Sequence, residues 1–125
     1  WSHLRVVNLN LARGTSPAEM IGYLNEQAET KTSAVLLEKL GDLQLTLQKP
    51  DLAIEAWDKA LANHPTPQQR IRLLSARAEQ LTQLERNKLA LADWKLLLEL
   101  LPPSPERTRA EQRRNAVDAK VKAVR

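Results

Sequence analysis

Leu36, Leu40, Leu43 and Leu47 fall three or four residues apart, and Ile71, Leu74, Ala78 and Leu81 repeat that spacing further along the chain. Apolar residues at this interval share one face of a helix, so both stretches are predicted to be amphipathic helices. Start and stop signals divide the rest. "SPAE" at 16–19 supplies a Ser N-cap, a proline at the first helical position and a glutamate three residues after the cap. "TPQQ" at 66–69 and "SPER" at 104–107 follow the same logic, and Thr32 is placed to cap the run beginning at Ser33. Lys49-Pro50-Asp51 closes one helix and opens the next, because proline disfavours helix at the residue before it. The pattern predicts helices near 2–12, 17–30, 33–47, 50–63, 67–85, 88–101 and 105–124. Their connections are short, which makes neighbours antiparallel. "VNLNL" at 7–11 also alternates apolar and polar residues as a half-buried strand does. Helix is preferred there, because Gly14 then serves as its C-terminal cap and no partner strand is visible.

One helix is written twice. "AIEAWDKALANHP" at 53–65 returns as "ALADWKLLLELLP" at 90–102, 37 residues later. Small residues at 41, 53, 60, 78 and 90 allow close approach of two helix backbones where they occur. Trp57 and Trp94 are large apolar knobs, and Pro65 and Pro102 end each copy. A single helix pair cannot bury its apolar face, so such pairs are expected to stack on a shared core.

On these residues the stretch from Ala34 to Pro67 resembles a tetratricopeptide repeat, a helix-turn-helix of about 34 residues. Leu37, Leu40 and Gly41 match the signature of its first helix, and Ala53, Trp57, Ala60 and Pro65 that of its second. Gln44 stands where the family has Tyr. The second copy keeps Leu74, Ala90, Trp94, Leu97 and Pro102, with Ala78 in place of the glycine, Arg77 in place of a leucine and Leu81 in place of the tyrosine. The resemblance implies an all-α chain of helix pairs stacked as a right-handed superhelix of about seven helices. Residues 1–32 form an N-terminal helix pair, read as a degenerate repeat. Repeats follow at 34–67 and 68–104, then a basic capping helix at 105–125, all in one structural domain. It further implies a concave groove lined by the first helices, which takes a partner peptide or helix. By position the groove residues are Glu38, Asp42, Leu45 and Thr46 from one repeat, and Arg72, Ser75, Glu79, Thr82 and Gln83 from the next. Glu38 and Asp42 stand where the chaperone-tail members carry Lys and Asn, which argues against that specificity.

Composition narrows the chemistry. The chain has 125 residues and no cysteine, so disulfides, thiol catalysis and thiolate metal sites are excluded. His3 and His64 are the only histidines and share no metal-ligand spacing, and Gly14, Gly22 and Gly41 are too isolated to form a phosphate-binding loop. No catalytic constellation, metal site or cofactor is expected. The chain begins at Trp1 and is read as a piece of a longer protein.

The net charge of +4 is concentrated at one end. Residues 1–104 balance twelve basic against twelve acidic groups, whereas 105–125 hold Arg107, Arg109, Arg113, Arg114, Lys120, Lys122 and Arg125 against three acids. Two alternatives to the groove therefore stand. The basic helix could engage nucleic acid, although its arginines are interleaved with acids and lack aromatic companions for base stacking. The leucine-rich helix near 88–101 could self-associate through Leu96, Leu98, Leu100 and Leu101, with Ala110, Val117, Val121 and Val124 of the last helix as the competing cover. Direct membrane contact is not expected.

Overall fold

Four of the seven prolines begin helices, and serine hydroxyls cap three of the helix starts. The computed structural model describes residues 2–123, an all-helical chain with no strand among those residues. Its elements are α1 (Ser2–Ala12), α2 (Pro17–Glu26), a short 3-10 helix (Ala28–Thr32), α3 (Ala34–Thr46), α4 (Pro50–Ala62), α5 (Pro67–Gln83), α6 (Asn87–Leu100) and α7 (Pro105–Ala123). Ser16 Oγ accepts from the Glu19 amide at 3.2 Å and Ser104 Oγ from the Arg107 amide at 3.1 Å, as the sequence signals require. The stretch 7–11 is helical, and Gly14 closes α1 at φ 90° while the Thr15 amide reaches back to Asn10 O at 2.9 Å.

Two expectations are corrected. The helix expected over 17–30 stops at Glu26; Gln27 is extended, and the chain continues as the 3-10 helix. Thr32 is the last residue of that 3-10 helix, and Ser33 caps α3 instead, its Oγ accepting from the Leu36 amide at 3.2 Å. Both serine and threonine can fill this role, and the extra turn at 28–32 moves the start of α3 by one residue.

The chain divides into two compact units, Trp1–Thr66 and Pro67–Arg125. In the first, Val7 of α1, Met20 and Leu24 of α2, and Leu36 and Leu43 of α3 form a buried core, flanked by Leu4, Leu11, Ile21, Tyr23 and Leu40. The His3 Nδ1 to Tyr23 hydroxyl hydrogen bond (2.7 Å) and the His3–Glu29 pair (3.3 Å) tie α1 to α2 and the 3-10 helix. The three residues after α3 return α4 alongside it, burying Ala53, Ile54, Ala56, Trp57 and Ala60. In the second unit α6 returns along α5 in the same way. Leu73, Leu74, Ala78 and Leu81 are buried with Ala90, Leu91, Trp94 and Leu97.

The offset of 37 holds side chain by side chain. Leu36 and Leu73, Leu37 and Leu74, Gly41 and Ala78, Ala53 and Ala90, Ile54 and Leu91, Trp57 and Trp94 are all buried as matched pairs. The turns match too. Gln48 at φ 60° and Glu85 at φ 59° are left-handed, and the next amides follow suit: Lys49 N–H donates to Gln44 O and Arg86 N–H to Leu81 O, both at 2.9 Å. This is the helix-ending motif that normally carries glycine, since a side chain is strained at that angle. Both side chains are exposed, so Gln48→Gly and Glu85→Gly are each expected to stabilise the chain by about 0.5–1 kcal/mol in urea titration.

The copies differ in how they treat their tryptophans. In the second unit Trp94 Nε1 donates to Thr82 Oγ1 at 3.0 Å, and Thr82 in turn donates to Ala78 O. The matching position in the first unit is Leu45, and Trp57 Nε1 is buried with no partner. The ring there lies instead against Gly41, where an added Cβ would meet Cδ1 at 2.5 Å. They also differ one turn away. Leu40 and Ala56 of the first unit are replaced by Arg77 and Asp93, joined by two bonds of 2.7 Å from Nε and Nη2 to the two carboxylate oxygens. Asp93 is buried, so α5 and α6 are clamped by a charge pair where α3 and α4 carry uncharged residues.

Candidate interaction surfaces

α3 carries Glu38, Asp42 and Leu45 at spacings of four and three, which puts them on one face of the helix. Asp42 is exposed, Glu38 and Leu45 are half-buried, and Thr46 turns its hydroxyl to Asp42 O at 3.0 Å. α5 carries Arg72, Ser75, Glu79 and Gln83 at the corresponding helical spacing, with Arg72 and Gln83 exposed and Ser75 and Glu79 half-buried. Ser75 and Glu79 line a cleft of about 220 Å³ together with Trp94, Glu106 and Arg109. Glu79 Oε1 meets Arg113 of α7 at 3.3 Å, so its carboxylate already has a cationic partner within the unit. Thr82 is corrected: its hydroxyl is committed to Trp94 and Ala78 and belongs to the helix–helix joint, not to a groove.

The leucine-rich helix separates into two faces. Leu98 and Leu101 lie in the core rather than on a surface, a correction that follows from helical period: Leu98 stands four residues from Trp94 and seven from Leu91, both buried. The exposed apolar stripe is Leu89, Leu96 and Leu100, at 61%, 47% and 40% exposure. α7 lies on the other side of α6, burying Ala110 and Val117; Val121 is half-buried and Val124 lies outside the described residues.

Much of the positive charge of α7 acts within the fold. Arg107 Nη1 donates to Leu98 O at 2.8 Å and to Leu101 O at 2.6 Å, capping the carbonyls at the end of α6, while its Nε reaches Glu111. A cation there also answers the negative end of the helix dipole. Arg113 holds Glu79, and Lys122 pairs with Asp118 at 3.1 Å. Lys120 and Arg109 are exposed, and Arg125 lies outside the described residues. Sequence reasoning missed the Arg77–Asp93 clamp and the Arg107 cap. The first had a signal: two opposite charges enter at positions where the other copy has Leu40 and Ala56.

Among the described residues no helix is long and apolar enough to cross a membrane. Comparison with known proteins finds no matching family model, no matching curated protein and no matching solved structure.

Proposed function

We propose that this chain is a non-catalytic protein-interaction scaffold of tetratricopeptide-like helix pairs, binding a partner peptide or helix through the groove residues of the first helix of each pair. The observation that carries this reading is the repetition of a whole helix pair at an offset of 37, with matched burial and matched left-handed turns. A module repeated for structure frees its solvent face to vary, and recognition is then a property of that face. On α3 the face offers Glu38 and Asp42 around Leu45, and on α5 it offers Arg72, Ser75 and Gln83. Acidic groups beside a half-buried leucine suit a basic or neutral segment with an apolar anchor.

Selection of a random peptide library displayed on phage against the chain tests this. The expected result is enrichment of a consensus whose binding falls about tenfold or more in the triple variant Glu38→Ala, Asp42→Ala, Arg72→Ala. Glu79 is left unchanged, because its pair with Arg113 joins α7 to α5. No enrichment, or an enriched peptide indifferent to the triple variant, would contradict the proposal. Self-association is the second reading, favoured by the exposure of Leu89, Leu96 and Leu100. Sedimentation that depends on protein concentration and loses that dependence in Leu96→Gln would support it.

A further inference from the structure

Leu89, Ala92, Leu96 and Leu100 follow one another at helical spacing along α6, all exposed, and form one apolar row about 16 Å long. The fold does not require that row. At the offset of 37 the same face of α4 carries Leu52, Glu55, Lys59 and Asn63, with Glu55 and Lys59 joined as an exposed ion pair at 3.5 Å. The two helices bury matched residues on their inner side, yet three polar positions of α4 are Ala92, Leu96 and Leu100 in α6. Single exposed leucines are ordinary on a protein surface. A row of them, on a face that the other copy keeps polar, marks a contact.

The charges beside the row select the occupant. Lys88, Lys95 and Glu99 are exposed and lie along one edge of it, because a helix turns about 100° per residue. Among the described residues none of the three has an ion-pair partner. A second copy of α6, laid antiparallel across a two-fold axis near the middle of the helix, brings that edge against itself. Leu89 of each copy then meets Leu100 of the other, Ala92 meets Leu96, and Lys88 meets Glu99. Every contact forms twice. Lys95 falls beside the axis, where its long stem covers apolar surface while the ammonium reaches water. In a parallel pair Lys88 and Glu99 would stand about 16 Å apart along the axis, and their charges would go unused. Sliding the antiparallel pair to match Lys95 with Glu99 would leave Leu89, the most exposed of the three leucines, uncovered.

We infer that α6 is the contact of a homodimer, in which two copies pair antiparallel through Leu89, Ala92, Leu96 and Leu100 and are bracketed at both ends by Lys88 of one copy and Glu99 of the other. The inference rests on the self-association reading and gives it an orientation and a register. It is independent of peptide binding at α3 and α5. One helix from each copy buries less than the about 1,200 Å² at which stable interfaces begin, so the dimer is weak and reversible, with a Kd of about 10–100 μM.

Sedimentation equilibrium of the full chain at low salt, from about 1 to 500 μM, tests this. The parent is expected to show a monomer–dimer equilibrium in that range. Leu96→Gln is expected to raise the Kd at least tenfold, and since Leu96, Lys88 and Glu99 are all exposed the fold of each variant is kept. Lys88→Glu and Glu99→Lys are each expected to raise the Kd about fivefold, as suits an exposed pair formed twice, and the double variant to restore the parent value. A monomer at every concentration would overturn self-association and this pairing together. A dimer unmoved by Leu96→Gln, or a double variant no tighter than the single ones, would overturn the pairing alone and place association on another face.

Discussion

Arg77→Leu is expected to lower the stability of the second unit by about 3–5 kcal/mol, the cost of leaving a buried charge uncompensated. The charge left behind is Asp93, whose side chain is 6% exposed and whose two oxygens both accept from Arg77 at 2.7 Å. Leucine is the residue that the first copy carries at this place, so the loss arises from the partner and not from the new side chain. The double variant Arg77→Leu, Asp93→Ala places in α5 and α6 the residues that α3 and α4 carry at these positions, Leu40 and Ala56, and is expected to recover most or all of the stability. Native-state hydrogen exchange of the α5 and α6 amides reads the effect in the second unit alone. A single variant as stable as the parent would show that the clamp carries no net weight. A double variant as weak as the single would show that the two helix pairs are not built on one plan.

Gly41→Ala carries the second largest effect, a loss of about 3 kcal/mol, at the upper end of the cost of overpacking a filled core. The added methyl would press into the indole of Trp57, and the ring has no room to withdraw because it is fully buried. An isolated glycine within a helix normally gains from replacement by alanine, so the sign of this change is diagnostic. At the matched position of the second unit Ala78 is accommodated, since Thr82 holds the Trp94 ring by its Nε1. The reciprocal Ala78→Gly is expected to cost about 2 kcal/mol, from backbone freedom and one lost buried methyl. Urea unfolding of both variants checks the pair, and a stable Gly41→Ala would mean that Trp57 does not rest on that glycine.

The helices were readable because their signals are local: proline at first positions, serine caps, and leucines at helical spacing. The recurrence of Ala53, Trp57 and Pro65 as Ala90, Trp94 and Pro102 exposed the repeat itself. What escaped depends on contacts that spacing does not encode. The break at Gln27 has no glycine or proline to announce it, and Ser33 and Thr32 are equally able to cap a helix. Thr82 reads as a solvent-facing polar residue until Trp94 is found beside it. Glu79 belongs by position to the outer face of α5, yet Arg113, 34 residues later in the chain, decides its partner. Leu98 and Leu101 differ from Leu96 and Leu100 only in which side of α6 they occupy, and α7 decides which side is covered.

The most direct test of the scaffold proposal is an amide shift map of the ¹⁵N-labelled chain saturated with a peptide enriched from the library. The proposal predicts shifts concentrated at the groove residues of α3 and α5: Glu38, Asp42, Leu45, Arg72, Ser75 and Gln83. Shifts confined to Leu89, Leu96 and Leu100 of α6, or to the basic side chains of α7, would contradict it and place recognition on another surface.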